Sequence, residues 1–208
     1  MKYEEPRLPE ESELTAHWEL PDEDEYECCL LEELELPNER LVAREFRQCV
    51  FRRCNLSGAD LTRASMTDVV FDHCDLSGAC FEMAGLQRVR FDSCRLTGAD
   101  MIRTILRCTG LKDCQAGYLN LADAKLDGVT FAASQLQESS FFACTLKQTA
   151  FDSCRMQRCT VHQTAMKGVD LRSCELTGLS IGFGEMRGMI VTELQAAELA
   201  RLMGLDVR

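Results

Sequence analysis

An apolar residue returns at every fifth position of this chain, from Phe46 to Val191, without losing phase. The series opens with Phe46, Phe51, Leu56, Leu61 and Met66, and runs on through Leu126, Phe131 and Leu136 to Leu171 and Leu176; Ala116 is its weak member. Two residues before each stands a column of short side chains that includes Cys54, Ala59, Ala64, Val69, Cys74 and Ala79. A helix repeats its apolar face about every 3.6 residues and a strand about every 2, so neither places one large and one small residue inward per five. A chain that turns a corner every five residues does.

Written in rows of twenty, the sequence shows a finer pattern. Rows opening at Phe51, Phe71, Phe91, Leu111, Phe131, Phe151 and Leu171 put Cys54, Cys74, Cys94, Cys114, Ser134, Cys154 and Cys174 in one column. Four five-residue segments therefore make one coil, and coils stack by parallel bridges about 4.8 Å apart, so about seven of them give a rod of roughly 34 Å. The predicted fold is all-β, a right-handed quadrilateral parallel β-helix with a short C-terminal α-helix. Each coil buries its apolar residues against its neighbours, so both ends of the rod need caps. Gly58, Gly78 and Gly98 follow a central Leu and suit a tight corner.

The spacing divides the chain into three parts: residues 1–45, an acidic N-terminal segment and irregular cap; 46–191, the solenoid of about seven coils; and 192–208, a helix. Residues 1–27 are expected to be extended or mobile, with an irregular first coil from about residue 28, because Glu39 and Arg44 interrupt the small-residue column. Thr192 to Gln195 reads as a capping box that opens the helix, and Gly204 is placed to end it. Leu194, Leu199, Leu202 and Met203 give that helix apolar surface, to cover the last coil and to pair with a second copy in a two-fold dimer.

Composition narrows the function classes. No run of about 18 apolar residues spans a bilayer, and the acidic N-terminus lacks the layout of a signal peptide, so a soluble cytoplasmic protein without a membrane partner is expected. The 13 cysteines form no CxxC pair, and they read as reduced, buried packing residues, with Cys80 and Cys108 at outward, more reactive positions. His17, His73 and His162 share no spacing that suggests a triad or metal pair, so no metal, cofactor or enzymatic activity is expected. Residues 1–37 hold 14 acidic and 2 basic residues, which leaves 20 acidic and 21 basic residues in the rest. The acidity belongs to the N-terminal segment, and direct nucleic-acid binding is not expected.

Ala59-Asp60-Leu61 and Ala99-Asp100-Met101 follow the A(D/N)LXX consensus of the pentapeptide-repeat family, which the chain resembles from residue 46 to 191. The stretch from Gly188 to Leu205 also resembles the tail of the quinolone-resistance (Qnr-type) and mycobacterial fluoroquinolone-resistance members. That resemblance implies a homodimer formed through the C-terminal helix. It also implies a DNA-imitating rod that binds the type II topoisomerases DNA gyrase and topoisomerase IV and protects them from quinolones. The alternative is a general protein-interaction scaffold. Candidate contact residues are an outward apolar strip, Ile102, Ala122 and Phe142, with Met83 and Phe183 close by, and the acidic positions Asp60, Glu82, Asp100 and Asp123. Asp60, Asp100 and Asn120 have a simpler reading as corner residues bonded to the local backbone. The N-terminal segment, anchored by Trp18 or Leu20, is a second candidate to cover the strip.

Overall fold

In the computed structural model of the chain, which describes residues 3–17, 19–20, 23–202 and 204–207, the backbone returns above itself every twenty residues. Phe51, Phe71, Phe91, Leu111, Phe131 and Phe151 are successive parallel partners. So are Met66, Leu86, Leu106, Leu126 and Leu146. The result is the quadrilateral parallel β-solenoid that the five-residue spacing predicts, with one short helix at its C-terminal end. Among the described residues, no helix is long and apolar enough to cross a membrane.

The register begins one coil earlier than expected. Tyr26 pairs with Phe46, Leu31 with Phe51, Glu35 with Asn55 and Arg40 with Asp60, so the coil is regular from Glu25 and the rod has about eight coils rather than seven. Glu39 and Arg44 made this first coil look irregular in the sequence. Both lie near the N-terminal end of the rod; Glu39 is exposed, and Arg44 reaches Asp24.

The four faces are of two kinds. The first, centred on Phe46 and Met66, and the second, centred on Phe51 and Phe71, are strands. The third, centred on Leu56, and the fourth, centred on Leu61, are joined to their neighbours mostly by single bridges, with one short strand pair, Thr160–Val161 on Ser180–Ile181, on the fourth. They close tight turns, with Ala59 N–H donating to Leu56 O and Ala64 N–H to Leu61 O, both at 3.0 Å. The third residue of each such turn is left-handed, as a type II turn requires. Left-handed corners are not confined to glycine. From Cys28 to Gly168 every fifth residue has φ between 49° and 79°.

Large and small residues fill the inside as separate stacks. The rings of Phe51, Phe71 and Phe91 stack at 4.8 and 4.9 Å, and those of Phe131 and Phe151 at 4.9 Å. The cysteine column is packing with a weak hydrogen bond added. Cys74 and Cys94 each donate a thiol to a carbonyl of the preceding coil, Phe51 O and Phe71 O, at 3.3 Å. Thr104, Ser139 and Thr164 do the same with hydroxyls at 2.9, 2.9 and 2.6 Å, which explains why Cys, Ser and Thr interchange here. Burial pushes the thiols of Cys49, Cys114, Cys144 and Cys159 up to about 12, so they stay protonated and unreactive. Cys108, expected to be an outward reactive thiol, is only 2% exposed.

Helix α1 (Glu193–Leu202) seals the C-terminal end. Gln195 N–H donates to Thr192 Oγ1 at 3.2 Å while Thr192 N–H donates to Gln195 Oε1 at 2.8 Å, a reciprocal capping box. The same Gln195 amide donates through Nε2 to Leu171 O and Cys174 O, both at 2.8 Å, and so caps the last coil as well as the helix. Gly204 at φ 84°, with its N–H on Arg201 O and the Leu205 N–H on Ala200 O, ends the helix.

Candidate interaction surfaces

Three surfaces emerge, and the first was not foreseen. Residues 3–17 form an arm that climbs the outside of the second face. Near its lower end Thr15–His17 pairs in parallel with Cys29–Leu31. Leu14 and Leu8 then pack on an outward apolar column of Leu30, Val50 and Val70. Glu11 meets Arg52 at 2.9 and 3.3 Å, and Glu5 meets Arg90 at 2.9 Å. At the tip, Tyr3 lies against Gly110, where a Cβ would come within 3.0 Å of the Tyr3 hydroxyl.

The arm is pinned in its middle. Arg7 N–H donates to Asp68 Oδ1 at 2.8 Å, and Gln48 Nε2 donates to Arg7 O at 2.9 Å, so one arm residue is held by both its backbone groups. Asp68 also accepts from Arg88 Nε and Nη2 at 2.6 and 2.7 Å. Burial raises the Asp68 carboxyl, but the bonds from Arg88 and Arg7 outweigh that and hold it below its ordinary range. The apolar outward residues at 30, 50 and 70 were the sequence signal for this surface, since an outward column of Val and Leu on successive coils asks for a cover.

The second surface is the apolar strip. The backbone ladder places Ile102, Ala122 and Phe142 on successive coils of the fourth face, with Met83 beside Ile102. Met83 is 40% and Phe142 38% exposed. The arm does not cover them, because it runs over the second face, on the opposite side of the rod; Leu20 packs instead on the core near Tyr26 and Leu36, and Trp18 lies outside the described residues. Phe183 stands two coils beyond Phe142, past His162, with the Arg187 guanidinium 5.8 Å from its ring, so it is separate from the strip. Asp60 and Asp100 each accept from the backbone N–H two residues on, at 3.0 Å, as Asn120 does at 3.2 Å. These are corner bonds, and they commit one carboxylate oxygen to the fold. Glu82 pairs with Arg103, and Asp123 is exposed.

The third surface is the C-terminal tip. Leu199 is 6% exposed and belongs to the core, so it seals the last coil rather than facing a second copy, which corrects its place among the dimer residues. Leu194 is 81% exposed, and Leu202, Leu205 and Ile190 are exposed beside it. Met203 lies outside the described residues. Among the described residues, no group of three or more His, Cys, Asp and Glu is placed to hold a metal ion.

Comparison with known proteins matches a family model described as "Pentapeptide repeat region" to residues 44–121 and 64–141. No curated protein matches the chain. Among solved structures, full-length QnrB1, a plasmid-mediated fluoroquinolone resistance protein, is 16% identical; the match covers 92% of this chain and all of that one, with a TM-score of 0.30. A trypsin-treated form of QnrB1 is 22% identical over 88% of this chain and 90% of that one, with a TM-score of 0.34. HetL from the cyanobacterium Nostoc sp., a protein involved in heterocyst differentiation regulation, is 16% identical over 83% of this chain and 93% of that one, with a TM-score of 0.25.

Proposed function

The chain is a pentapeptide-repeat protein, and from that premise we propose that it works as a non-enzymatic, cytoplasmic, protein-binding rod whose contact surface is the apolar strip of the fourth face. The observation that carries this reading is the strip itself, with Met83 and Phe142 exposed and Ile102 and Ala122 half-buried on a face that the arm leaves open. A row of apolar side chains on a stacked backbone loses little backbone freedom on binding, and the Glu82–Arg103 pair and Asp123 give it a polar rim.

As target we name a bacterial type II topoisomerase, DNA gyrase or topoisomerase IV, with quinolone protection as the outcome. What supports this target is the resemblance of the repeat and of the C-terminal stretch to the Qnr-type group, together with an acidic pole on the first coil where Glu23, Asp24, Glu25 and Glu27 are exposed. The solenoid itself does not match DNA in charge along its length. Duplex DNA carries one charge per about 1.7 Å, while residues 25–208 hold 25 acidic and 21 basic residues. A general scaffold, bound through the strip without regard to charge, is the second reading. Inhibition of gyrase supercoiling and relief of quinolone poisoning, measured with purified protein across a salt series, separate the two. Activity at stoichiometric protein that fades with salt supports the topoisomerase; no effect on either enzyme leaves the scaffold.

We further propose that two copies pair through α1, using Leu194 and Leu202. Leu202→Asp is then expected to give a monomer by light scattering with unchanged thermal unfolding of the solenoid. A dimer that survives this substitution rules the pairing out.

A further inference from the structure

We infer that the second face is a docking surface for an acidic segment of a partner protein, and that the arm of residues 3–17, which makes a 3-10 turn at Glu11–Glu13, occupies it in cis. The surface has the parts such a segment needs. Arg52 and Arg90 stand two coils apart and each takes an arm carboxylate, Arg52 while facing Glu32 and Asp72 and Arg90 while paired with Asp92, and Leu30, Val50 and Val70 form an apolar floor beside them. Asp68 and Gln48 hold the backbone N–H and C=O of one residue of the bound segment, a recognition that does not depend on side-chain identity. The two arginine sites and the floor together fit a chain that places carboxylates and apolar residues at matched intervals, as the arm does with Glu5, Leu8, Glu11 and Leu14.

The cis occupant fits its seat loosely. A cavity of about 320 Å³, open to solvent, remains beside the arm, lined by Leu8, Pro9, Leu14, Val50 and Val70 and by the charged Glu11, Arg52, Asp72, Arg90 and Asp92. The two ion pairs that hold the arm use carboxylates that are 65% and 62% exposed, Glu11 and Glu5, so each adds little and weakens with salt. A segment with larger apolar side chains at the positions of Leu8 and Leu14 would fill the space that the arm leaves empty. The arm therefore acts as a tethered competitor that a better-fitting acidic segment displaces. This surface lies opposite the fourth-face strip and does not depend on it.

The test uses a fluorescein-labelled peptide of residues 3–17 carrying Leu8→Phe and Leu14→Phe, titrated against the full chain and against a full-chain Glu5→Lys/Glu11→Lys variant whose arm is loosened. The peptide is expected to bind the variant about tenfold more tightly than the wild type, because the tethered competitor has been weakened. Hydrogen exchange is expected to slow around Val50, Val70 and Arg90 on binding. Three results overturn the inference: no binding to the variant; binding that protects another face; or a wild-type chain found as an arm-exchanged dimer, which would make a second copy the occupant.

Discussion

At the scale of single residues, the left-handed corner governs what the sequence tolerates. Among the described residues, twenty-four other than glycine adopt it, yet from Cys28 to Gly168 that column holds no Val, Ile, Thr, Leu or Pro. A β-branched side chain at positive φ clashes with its own backbone, which costs about 1–2 kcal/mol. Ala133, exposed and at φ 49°, is the clean test site. Ala133→Val is expected to lower unfolding free energy by about that amount and Ala133→Gly to leave it unchanged or slightly raised, measured by urea denaturation. Asp68 gives the pH counterpart. Its folded pKa is depressed, so its contribution is present above the ordinary carboxylate value of about 3.9 and is lost as pH falls through the folded pKa. Glu11, lowered by Arg52, changes in the same direction. Exchange protection of the Arg7 amide is therefore expected to persist at neutral pH, to disappear on strong acidification, and to be absent at all pH in Asp68→Ala.

At the scale of elements, the helix and the arm show what a sequence can and cannot disclose. The capping box was legible because Thr192 and Gln195 lie within one turn, and the inward columns were legible because each is a strict period. The second bond set of Gln195, to Leu171 and Cys174, was not, since nothing in a capping pattern says which carbonyls lie beyond it. Gln195→Ala is accordingly expected to cost about 1–2 kcal/mol, more than an isolated cap, and Leu199→Ala about 2–3 kcal/mol through the cavity it leaves in the end seal. Thermal unfolding of both variants, beside Leu194→Asp with little change, checks the division of the helix into an inward seal and an outward face. The arm was illegible for another reason. Its bonds join residues 41 to 85 positions apart, Arg52 to Glu11 and Arg90 to Glu5, and no periodicity links the partners. Acidic composition and three prolines made the segment look solvated, while the outward Leu30, Val50 and Val70 that receive it stood in plain view.

At the scale of the whole molecule, the rod keeps its two available surfaces on opposite sides and its apolar tip at one end. Protein held together by stacked coils is only as soluble as its ends, because an uncapped coil offers strand edges and core side chains to the next molecule. A chain cut after residue 191 is expected to self-associate in concentration-dependent fashion by light scattering, while the Leu202→Asp chain is not. The twenty-residue closure of the coil also carries a rule about length. Duplicating twenty residues within the body would extend the span by about 4.8 Å and return every side chain to its own side. Inserting five would rotate everything downstream by a quarter turn, so that the tip helix would look toward a different compass point from the arm. Descendants of this chain can thus lengthen or shorten freely, but only in whole-coil steps if both ends are to keep addressing the same neighbours.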